Sequence, residues 1–344
     1  MKILVIGGSG FIGSHVIRRL LLAGHSVTSV DNMSKYGFIE HDFYSNQKFK
    51  LIVKDVRNMY PSEFKGYDIV LFFAALIGGI KYFHKYPYQI AKDNTDMITH
   101  AIDSILAASP KTIFYYFSSS MVYERVQRPV LEEDALNQLI PITNYGMQKL
   151  FGEFIVRGAR EEYGLNYVII RPFNAVGNGE LPKIDSKGEL DFGMAHVIPD
   201  FIYKAIVKQN PFEILGDGSQ VRTFTHVDDI AEAVILMMDK KIINQDFNIC
   251  GGTDNTISMG ELAEKVWTKV NPKERFPKIK KIPAPKDDVK FRVGVSDKAK
   301  KVLGWVPKRS MDYIIEDSIK FINKNFSAEK LIKEFEGMLR AAKY

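Results

Sequence analysis

Short apolar runs alternate with longer amphipathic stretches through the first 170 residues of the chain. The runs have the length and composition of buried strands, whereas the stretches have helical spacing. The predicted strands are 2–6, 26–31, 49–54, 69–74, 112–118 and 167–171, and the predicted helices between them are 11–23, 88–108 and 145–162. Nearly continuous apolar strands separated by helices indicate a parallel sheet covered on both faces. The predicted fold class is therefore α/β, with a doubly wound parallel sheet.

The pattern loosens after Asn174, and this change suggests how the chain divides. Loops rich in Gly, Pro and Asp at 177–193, 216–219 and 283–288 separate helices predicted at 197–208, 227–238 and 259–270. We expect a dinucleotide-binding domain over residues 1–174, to which a later stretch of about 210–258 returns. A smaller, mostly C-terminal α/β domain, 175–209 and 259–344, is expected to bind the substrate.

Composition excludes several protein classes. The 344 residues are 46% hydrophobic and 26% charged, which excludes a disordered or fibrous chain. A single cysteine, Cys250, excludes an intrachain disulfide and a cysteine-based zinc site, and no metal site is expected. The longest apolar stretch, 69–80, is too short for a bilayer, and the N-terminus lacks a signal-peptide cleavage pattern. We therefore expect a cytoplasmic protein without a membrane partner.

The net charge of +6 is unevenly distributed. Between Lys265 and Arg309 the chain has 15 Lys and Arg against four Asp and Glu. Without interleaved aromatic residues or a DNA-binding motif, nucleic acid is not an expected partner. A solvated lysine-rich surface accounts for most of this charge, and an anionic small substrate bound nearby accounts for part of it.

A glycine-rich turn follows the first predicted strand and opens the first helix. Gly7, Gly10 and Gly13 permit a tight turn, close approach of a pyrophosphate to the backbone, and close packing of helix on strand. Free amides at the positive end of the helix would bind the phosphates. Asp31 ends the second strand 18 residues after Gly13, where its carboxylate can accept hydrogen bonds from ribose hydroxyls. This acid would repel the 2′-phosphate of NADP, so NAD is the expected cofactor.

A second motif supplies acid–base chemistry. Tyr145 and Lys149 are four residues apart at the start of a predicted helix, which places both side chains on one face. A phenol near pKa 10 is a poor base, but a neighbouring ammonium and a bound nicotinamide cation favour the phenolate. Ser118, Ser119 and Ser120 end the fifth strand, at the sheet edge where such folds bind ligands.

These motifs together closely resemble the extended short-chain dehydrogenase/reductase superfamily, in particular its nucleotide-sugar epimerase/dehydratase branch, from Gly7 to the Leu303-Gly304-Trp305 segment. The resemblance implies a Rossmann-type fold, with Tyr145 as the base, Lys149 on the nicotinamide ribose and Ser119 on the sugar 4-oxygen. It implies further that Asn94 braces the cofactor region. The implied cofactor positions are Gly7, Gly10, Phe11, Ile12, Gly13, Asp31, Asn32, Asp55, Val56, Ala74, Ala75, Asn94, Ser118, Tyr145, Lys149 and Phe173.

The same resemblance implies how the substrate is held. Asn174, Arg222 and Arg292 correspond to residues that bind the substrate diphosphate, and guanidinium groups suit phosphate oxygens. The implied substrate positions are Ser119, Ser120, Asn174, Val197, Arg222 and Arg292. Val295 stands where many members have Asp, and Glu124 stands where the family usually has Gly.

The residues that follow Ser119 bear on the reaction type. Related dehydratases have an Asp-Glu pair there, decarboxylases a Glu, and GDP-fucose synthases or GDP-mannose 3,5-epimerases a Cys, whereas this chain has Ser120 and Met121. The expected function is therefore an NAD-dependent nucleoside-diphosphate-sugar 4-epimerase, with transient oxidation at C4. The alternatives are a 4-keto-sugar reductase or 4-dehydrogenase, with a UDP- or GDP-sugar substrate, and a non-catalytic relative that senses NAD.

Family members commonly dimerise through two long helices. The predicted helices 88–108 and 145–162 are long enough to form such a four-helix interface, so the resemblance implies a homodimer.

Overall fold

A computed structural model of the chain describes residues 1–78, 80–137, 140–180, 183–184, 190–191, 196–284, 288–327, 329 and 331. Parts of the predicted substrate domain, namely 181–182, 185–189, 192–195, 285–287, 328, 330 and 332–344, lie outside these residues, as do 79 and 138–139.

The secondary structure alternates as predicted. The strands are β1 (Lys2–Ile6), β2 (Ser26–Asp31), β3 (Phe49–Val53), β4 (Ile69–Phe72), β5 (Ile113–Phe117), β6 (Tyr167–Pro172), β7 (Ala175–Val176), β8 (Lys183–Ile184), β9 (Leu190–Asp191), β10 (Phe212–Leu215), β11 (Val221–Thr223), β12 (Thr225–His226), β13 (Gln245–Ile249), β14 (Thr256–Ser258), β15 (Ile279–Ile282) and β16 (Phe291–Arg292). The helices are α1 (Phe11–Leu22), α2 (Ile80–Lys85), α3 (Pro87–Ala108), α4 (Asp134–Asn137), α5 (Asn144–Tyr163), α6 (Val197–Ile206), α7 (Val227–Asp239), α8 (Met259–Val270), α9 (Asp297–Leu303) and α10 (Met311–Asn325).

A seven-stranded sheet forms the centre of the molecule, in the order β13-β6-β5-β4-β1-β2-β3. Every neighbouring pair in it is parallel, which confirms the predicted fold class. The predicted elements differ from the observed ones by at most two residues at an end. One such difference has a visible cause: the amides of Phe73 and Ala74 both donate to the carbonyl of Ile6, so the chain turns away and β4 ends at Phe72.

The alternation of side chains along β1 separates the two faces of this sheet. Ile3 and Val5 join one apolar core with residues of α1 and α7, whereas Leu4 and Ile6 join another with residues of α3 and α5. All four side chains are buried. Because consecutive residues of a strand point to opposite faces, an apolar run such as this one requires helices on both sides.

A further apolar core lies among α6, α8, α10 and β10. The stretch 210–258 contributes to both parts of the molecule, since Phe212 and Ile214 belong to this core while β13 is an edge strand of the central sheet. The exact division into domains stays a prediction. None of the described helices is long and apolar enough to cross a membrane.

The sheet order sets the place of the functional site. The chain runs from β1 outward through β2 and β3, then returns to β4 on the other side of β1. In open parallel sheets, ligands bind at the carboxyl ends of strands where the strand order reverses in this way. The turns after β1 and β4 therefore flank the expected site.

Candidate active site

A cavity of about 930 Å³ lies along the carboxyl edge of the central sheet and extends towards the apolar core formed by α6, α8, α10 and β10. The predicted site residues that line it are Gly7, Gly10, Phe11, Ile12, Gly13, Asp31, Asn32, Asp55, Val56, Ala74, Ala75, Ser118, Ser119, Ser120, Tyr145, Lys149, Asn174, Val197, Arg222 and Arg292. Asn94 and Phe173 are not among the lining residues.

The glycine turn leaves no room for side chains at two positions. A Cβ atom on Gly13 would lie 2.5 Å from the carbonyl oxygen of Gly7, and one on Gly7 would lie 2.7 Å from the amide nitrogen of Ala74. Gly7 also has a φ of 80°, which favours glycine. The turn therefore packs backbone against backbone and leaves an open cradle at the start of α1, where amides can bind an anion.

Two carboxylates follow the turn at the edge of the cavity. Asp31 accepts hydrogen bonds from the amides of Ser9 and Met33, at 3.0 and 2.9 Å, and burial raises the pKa of its carboxyl. Asp55 accepts two hydrogen bonds from the guanidinium of Arg57, which lowers the pKa of that carboxyl to about 2. Both carboxylates are thus held by local backbone or side-chain donors.

Asn94 does not line the cavity, but its side chain contacts Leu76, which does. It is 3% exposed, and its side chain accepts from the amide of Leu76 at 2.6 Å and donates to the same residue's carbonyl at 3.3 Å. This pair of bonds fixes the backbone just after Ala74 and Ala75, and a role of Asn94 in bracing the cofactor stays a prediction.

The serine, tyrosine and lysine motifs meet where β5 faces α5. Tyr145 and Lys149 are 2% and 4% exposed, and the lysine Nζ lies 5.9 Å from the centre of the tyrosine ring. Lys149 donates to the carbonyl of Phe117 at 2.8 Å, at the end of β5. Phe83 stacks on the Tyr145 ring with centroids 4.5 Å apart. The sequence did not single out Phe83 from its aromatic neighbours.

Burial dominates the electrostatics of this group. It raises the pKa of Tyr145, which a hydrogen bond with Ser119 and the charge of Arg292 act to lower. It lowers the pKa of Lys149 to about 7, against the opposing effect of the Glu153 carboxylate. The phenol is therefore protonated in this state, and the lysine titrates near neutral pH.

Glu124, which departs from the family pattern, supports the start of α5. Its side chain is fully buried, and its two oxygens accept from the amide and the hydroxyl of Thr143, at 2.7 and 2.6 Å. Thr143 in turn caps α5 by accepting from the amide of Gly146 at 3.0 Å. A Cβ on Gly146 would lie 3.0 Å from the Glu124 carboxyl carbon, so this glycine lets the carboxylate approach the helix that carries Tyr145.

Arg222 and Arg292 face each other on neighbouring strands. They are paired in register between β11 and β16, and parallel neighbours in register point to the same face. The Arg292 guanidinium contacts the Asn174 side-chain oxygen and the Met121 sulfur, and its buried Nε has no hydrogen-bond partner among the described residues. Burial and the charge of Arg292 lower the pKa of Arg222 to about 9. Two largely buried like charges side by side are unfavourable, and the Asp288 carboxylate, 3.6 Å from Arg222, offsets part of the repulsion.

Phe173 supports this region rather than lining it. Its ring is fully buried in a small core with Tyr123, Val130 and Cys250. A Cβ on Gly294, two residues after Arg292, would lie 2.6 Å from that ring. The side chain thus packs beneath the segment that carries Arg292, and any cofactor contact from this position would come from the backbone.

A buried polar network beneath Lys149 was not predicted. Glu153 is fully buried and accepts from the Ser118 hydroxyl at 2.5 Å and from the Arg171 guanidinium at 2.7 and 2.5 Å. The spacing of Tyr145, Lys149 and Glu153, each four residues after the last, is a signal that could have identified it. Among the described residues, no group of three or more His, Cys, Asp or Glu is arranged to hold a metal ion.

Comparison with known proteins places the chain in a family. Residues 3–250 match the model of the NAD dependent epimerase/dehydratase family. The chain is 28% identical to a putative UDP-glucose 4-epimerase of Methanocaldococcus jannaschii, over 94% of this chain and 99% of that protein. It is 29% identical to GDP-mannose 3,5-epimerase of Arabidopsis thaliana, over 96% and 84% of the two chains. Among solved structures, UDP-glucose 4-epimerase of Thermotoga maritima with UDP-glucose superposes with a TM-score of 0.79 at 27% identity, covering 94% of this chain and 99% of that one.

Proposed function

Because this chain belongs to the NAD dependent epimerase/dehydratase family, we propose that it is an NAD-dependent 4-epimerase of nucleoside diphosphate sugars. The observation that carries this proposal is the convergence of Ser119, Tyr145 and Lys149 on one cavity, beside a methionine at position 121. This set suffices to move a proton to and from a sugar hydroxyl, and it adds no group for elimination or decarboxylation.

The residues of the cavity fit NAD. Gly7 and Gly13 let the turn pack backbone against backbone, since a Cβ at either position would collide with a neighbouring main chain. The amides at the start of α1 then face the cavity, where a pyrophosphate can approach them. The Asp31 carboxylate at the end of β2 suits ribose hydroxyls and repels a 2′-phosphate. Asp55 and Val56 line the adjoining part of the cavity. When bound, NAD supplies the acceptor for a hydride from C4 and its later donor.

Tyr145 and Ser119 perform the proton chemistry at the sugar 4-hydroxyl. The phenolate takes the hydroxyl proton during oxidation and the phenol returns it after the 4-keto sugar has turned over in the cavity. The hydrogen bond from Ser119 and the positive charge of Arg292 favour the phenolate, against the effect of burial on the tyrosine pKa. Lys149 adds to this effect when it carries its charge. Tyr145 thus acts as base in one half of the cycle and as acid in the other.

The side chain of Met121 bears on which reaction the site can catalyse. Its thioether touches Arg292 next to Ser119 and Ser120, where a proton-transferring side chain would be needed for chemistry at C3, C5 or C6. A thioether has no proton to exchange. This position therefore favours epimerisation at C4 over the reactions of the dehydratases and decarboxylases.

The substrate diphosphate would be held by the paired arginines. An anion between Arg222 and Arg292 would relieve the repulsion of two guanidinium groups in register and give the buried Arg292 Nε an acceptor. Asn174 contacts Arg292, and Val197 begins α6, whose first amides add further donors. These residues form one anion site at the substrate end of the cavity.

The decisive experiment uses purified protein without added cofactor and follows sugar signals by proton NMR. UDP- and GDP-linked hexoses, hexosamines and hexuronates are supplied in turn, with Tyr145→Phe as the inactive control. The expected result is the C4 epimer of one of them with no net formation of NADH. Formation of a 4-keto product, or consumption of one together with NADH, would instead identify a 4-dehydrogenase or a reductase. Tight NAD binding without turnover of any substrate would identify a sensing protein.

We also propose that the protein is a homodimer. On α5 the side chains of Met147, Phe151 and Phe154 form one stripe at i, i+4 and i+7 and are 45–53% exposed. Such a stripe on a helix packed against the long helix α3 suits pairing with a second copy. Light scattering is expected to give twice the chain mass of 39.2 kDa. Phe151→Glu should reduce that mass, whereas Leu22→Glu on the exposed side of α1 should not.

A further inference from the structure

Lys149 and Glu153 reach the same end of β5. They are four residues apart on α5, so their side chains project from one face of the helix. The lysine Nζ donates to the carbonyl of Phe117, and the Glu153 carboxylate accepts from the hydroxyl of the next residue, Ser118. Both side chains are buried, so no bulk water screens the charges between them.

Two tyrosine rings also lie beside the Lys149 ammonium. A protonated phenol is neutral, so neither ring balances the positive charge of the lysine. The Nζ lies 5.2 Å from the ring centre of Tyr116 on β5 and 5.9 Å from that of Tyr145 on α5. Burial raises the pKa of both phenols, so both stay neutral in this state. Among the described residues, the charge that opposes the effect of burial on the Lys149 pKa is that of Glu153.

Arg171, on the far side of Glu153, has a second anionic partner. Its guanidinium also lies 2.8 Å from Asp246, which in turn pairs with Arg157 at 3.1 Å and Lys298 at 3.2 Å. Asp246 therefore balances part of the positive charge of Arg171, and Glu153 is not its single anionic partner. The Glu153 carboxylate is bonded to Arg171, which has this other partner, and its charge also acts on Lys149, whose neighbouring phenols are neutral.

We propose that Glu153 is a positioning residue that keeps Lys149 charged beside Tyr145, acting from the next turn of the same helix. The proposal rests on the proposed function, since a charged Lys149 favours the phenolate that takes the sugar proton. Glu153 itself does not touch the reacting atoms. Its carboxylate sets the ammonium population, and its bond to Ser118 ties that carboxylate to the serine segment that carries Ser119.

The test measures the titration of Lys149 directly, without substrate. Lysines labelled with ¹³C at Cε are followed by NMR over a pH series, and the Lys149 signal is assigned by its loss in Lys149→Arg. In the unaltered protein the midpoint is expected near 7. In Glu153→Gln, which keeps the shape and removes the charge, the midpoint is expected to fall by about 1 pH unit, a tenfold decrease in ammonium above the midpoint. An unchanged midpoint would overturn the proposal.

Asp246→Asn is the matched control. It removes a different carboxylate from the same network, so it should lower the unfolding temperature while leaving the Lys149 midpoint unchanged. Equal shifts in both variants would mean that the network acts only by holding the fold together, and would also contradict the proposal. If Glu153→Gln does not fold, the double variant Glu153→Gln/Arg171→Met removes the buried pair together, which such sites commonly tolerate. Its Lys149 midpoint must still lie below that of the unaltered protein.

A kinetic measurement connects this titration to catalysis. With an active substrate, Glu153→Gln is expected to lower kcat about fivefold at pH 7 and about tenfold at higher pH, to recover part of it at lower pH, and to leave KM unchanged. A purely structural role would lower the active fraction equally at every pH. Because the NMR titration needs neither substrate nor cofactor, a failure of the 4-epimerase proposal would leave the titration result intact and separately interpretable.

Discussion

Replacing Gly13 with alanine is expected to weaken both the fold and the binding of the cofactor. A Cβ at this position would lie 2.5 Å from the Gly7 oxygen and 2.8 Å and 3.0 Å from the Cα and the oxygen of Gly8. All three contacts are with backbone atoms, which cannot rotate away as the end of a side chain can. The turn between β1 and α1 must therefore shift to accept the methyl group.

The net effect is the difference between two opposing terms. Overpacking a well-packed site costs about 1–3 kcal/mol, and three backbone contacts place this site at the upper end. Alanine is a better helix former than glycine by about 1 kcal/mol, which offsets part of that cost. We expect a net loss of about 2 kcal/mol in the free energy of unfolding. The displaced turn should also raise the Kd for NAD by about tenfold or more.

Denaturant unfolding and calorimetric titration with NAD measure the two effects. Gly158→Ala is the matched control, because a Cβ there meets no atom of the described residues within 4 Å and the residue lies inside helix α5. That variant should gain up to about 1 kcal/mol of stability from helix propensity and bind NAD normally. Because Gly158 continues the exposed stripe of Met147, Phe151 and Phe154 on α5, the variants are compared at the same oligomeric state. If Gly13→Ala proves as stable as Gly158→Ala and binds NAD with unchanged affinity, the backbone crowding inferred at the turn is refuted.

Three further predictions concern other parts of the site. Ser119→Ala should lower kcat by about 10²–10³-fold with little change in KM, because the hydroxyl acts on the proton in transfer; a change confined to KM would contradict this. Asp31→Asn should narrow the ratio of NADP to NAD dissociation constants by about tenfold or more, because the negative charge that repels the 2′-phosphate is gone; calorimetry with both cofactors measures it. The pKa of Asp55 is held down by Arg57, so the stability from this pair is present above the ordinary value of 3.8 and is lost as pH falls towards about 2. Since both side chains are partly exposed, this pair contributes about 1 kcal/mol, and the stability lost between pH 5 and pH 2.5 in denaturant unfolding should be about 1 kcal/mol smaller for Asp55→Asn than for the native chain.

Much of this protein follows from local sequence patterns. The central strands and the helices between them were predictable because each apolar run or amphipathic period reflects burial on one or both faces of its own element. The glycine turn was predictable for the same reason, since the spacing of Gly7, Gly10 and Gly13 expresses a backbone constraint within a few residues. The helical spacing of Tyr145 and Lys149 is likewise a local property. These features need no knowledge of distant contacts.

The tertiary structure determines which segments that are far apart in the chain come into contact. Arg222 and Arg292 become neighbours only because β16 pairs with β11 in one register, 70 residues later. Glu124 reaches Thr143, and Glu153 reaches both Ser118 and Arg171, only when their elements pack together. A residue's type and spacing predict what its own element does, whereas the charge it meets and the pKa it acquires depend on which other elements bury it.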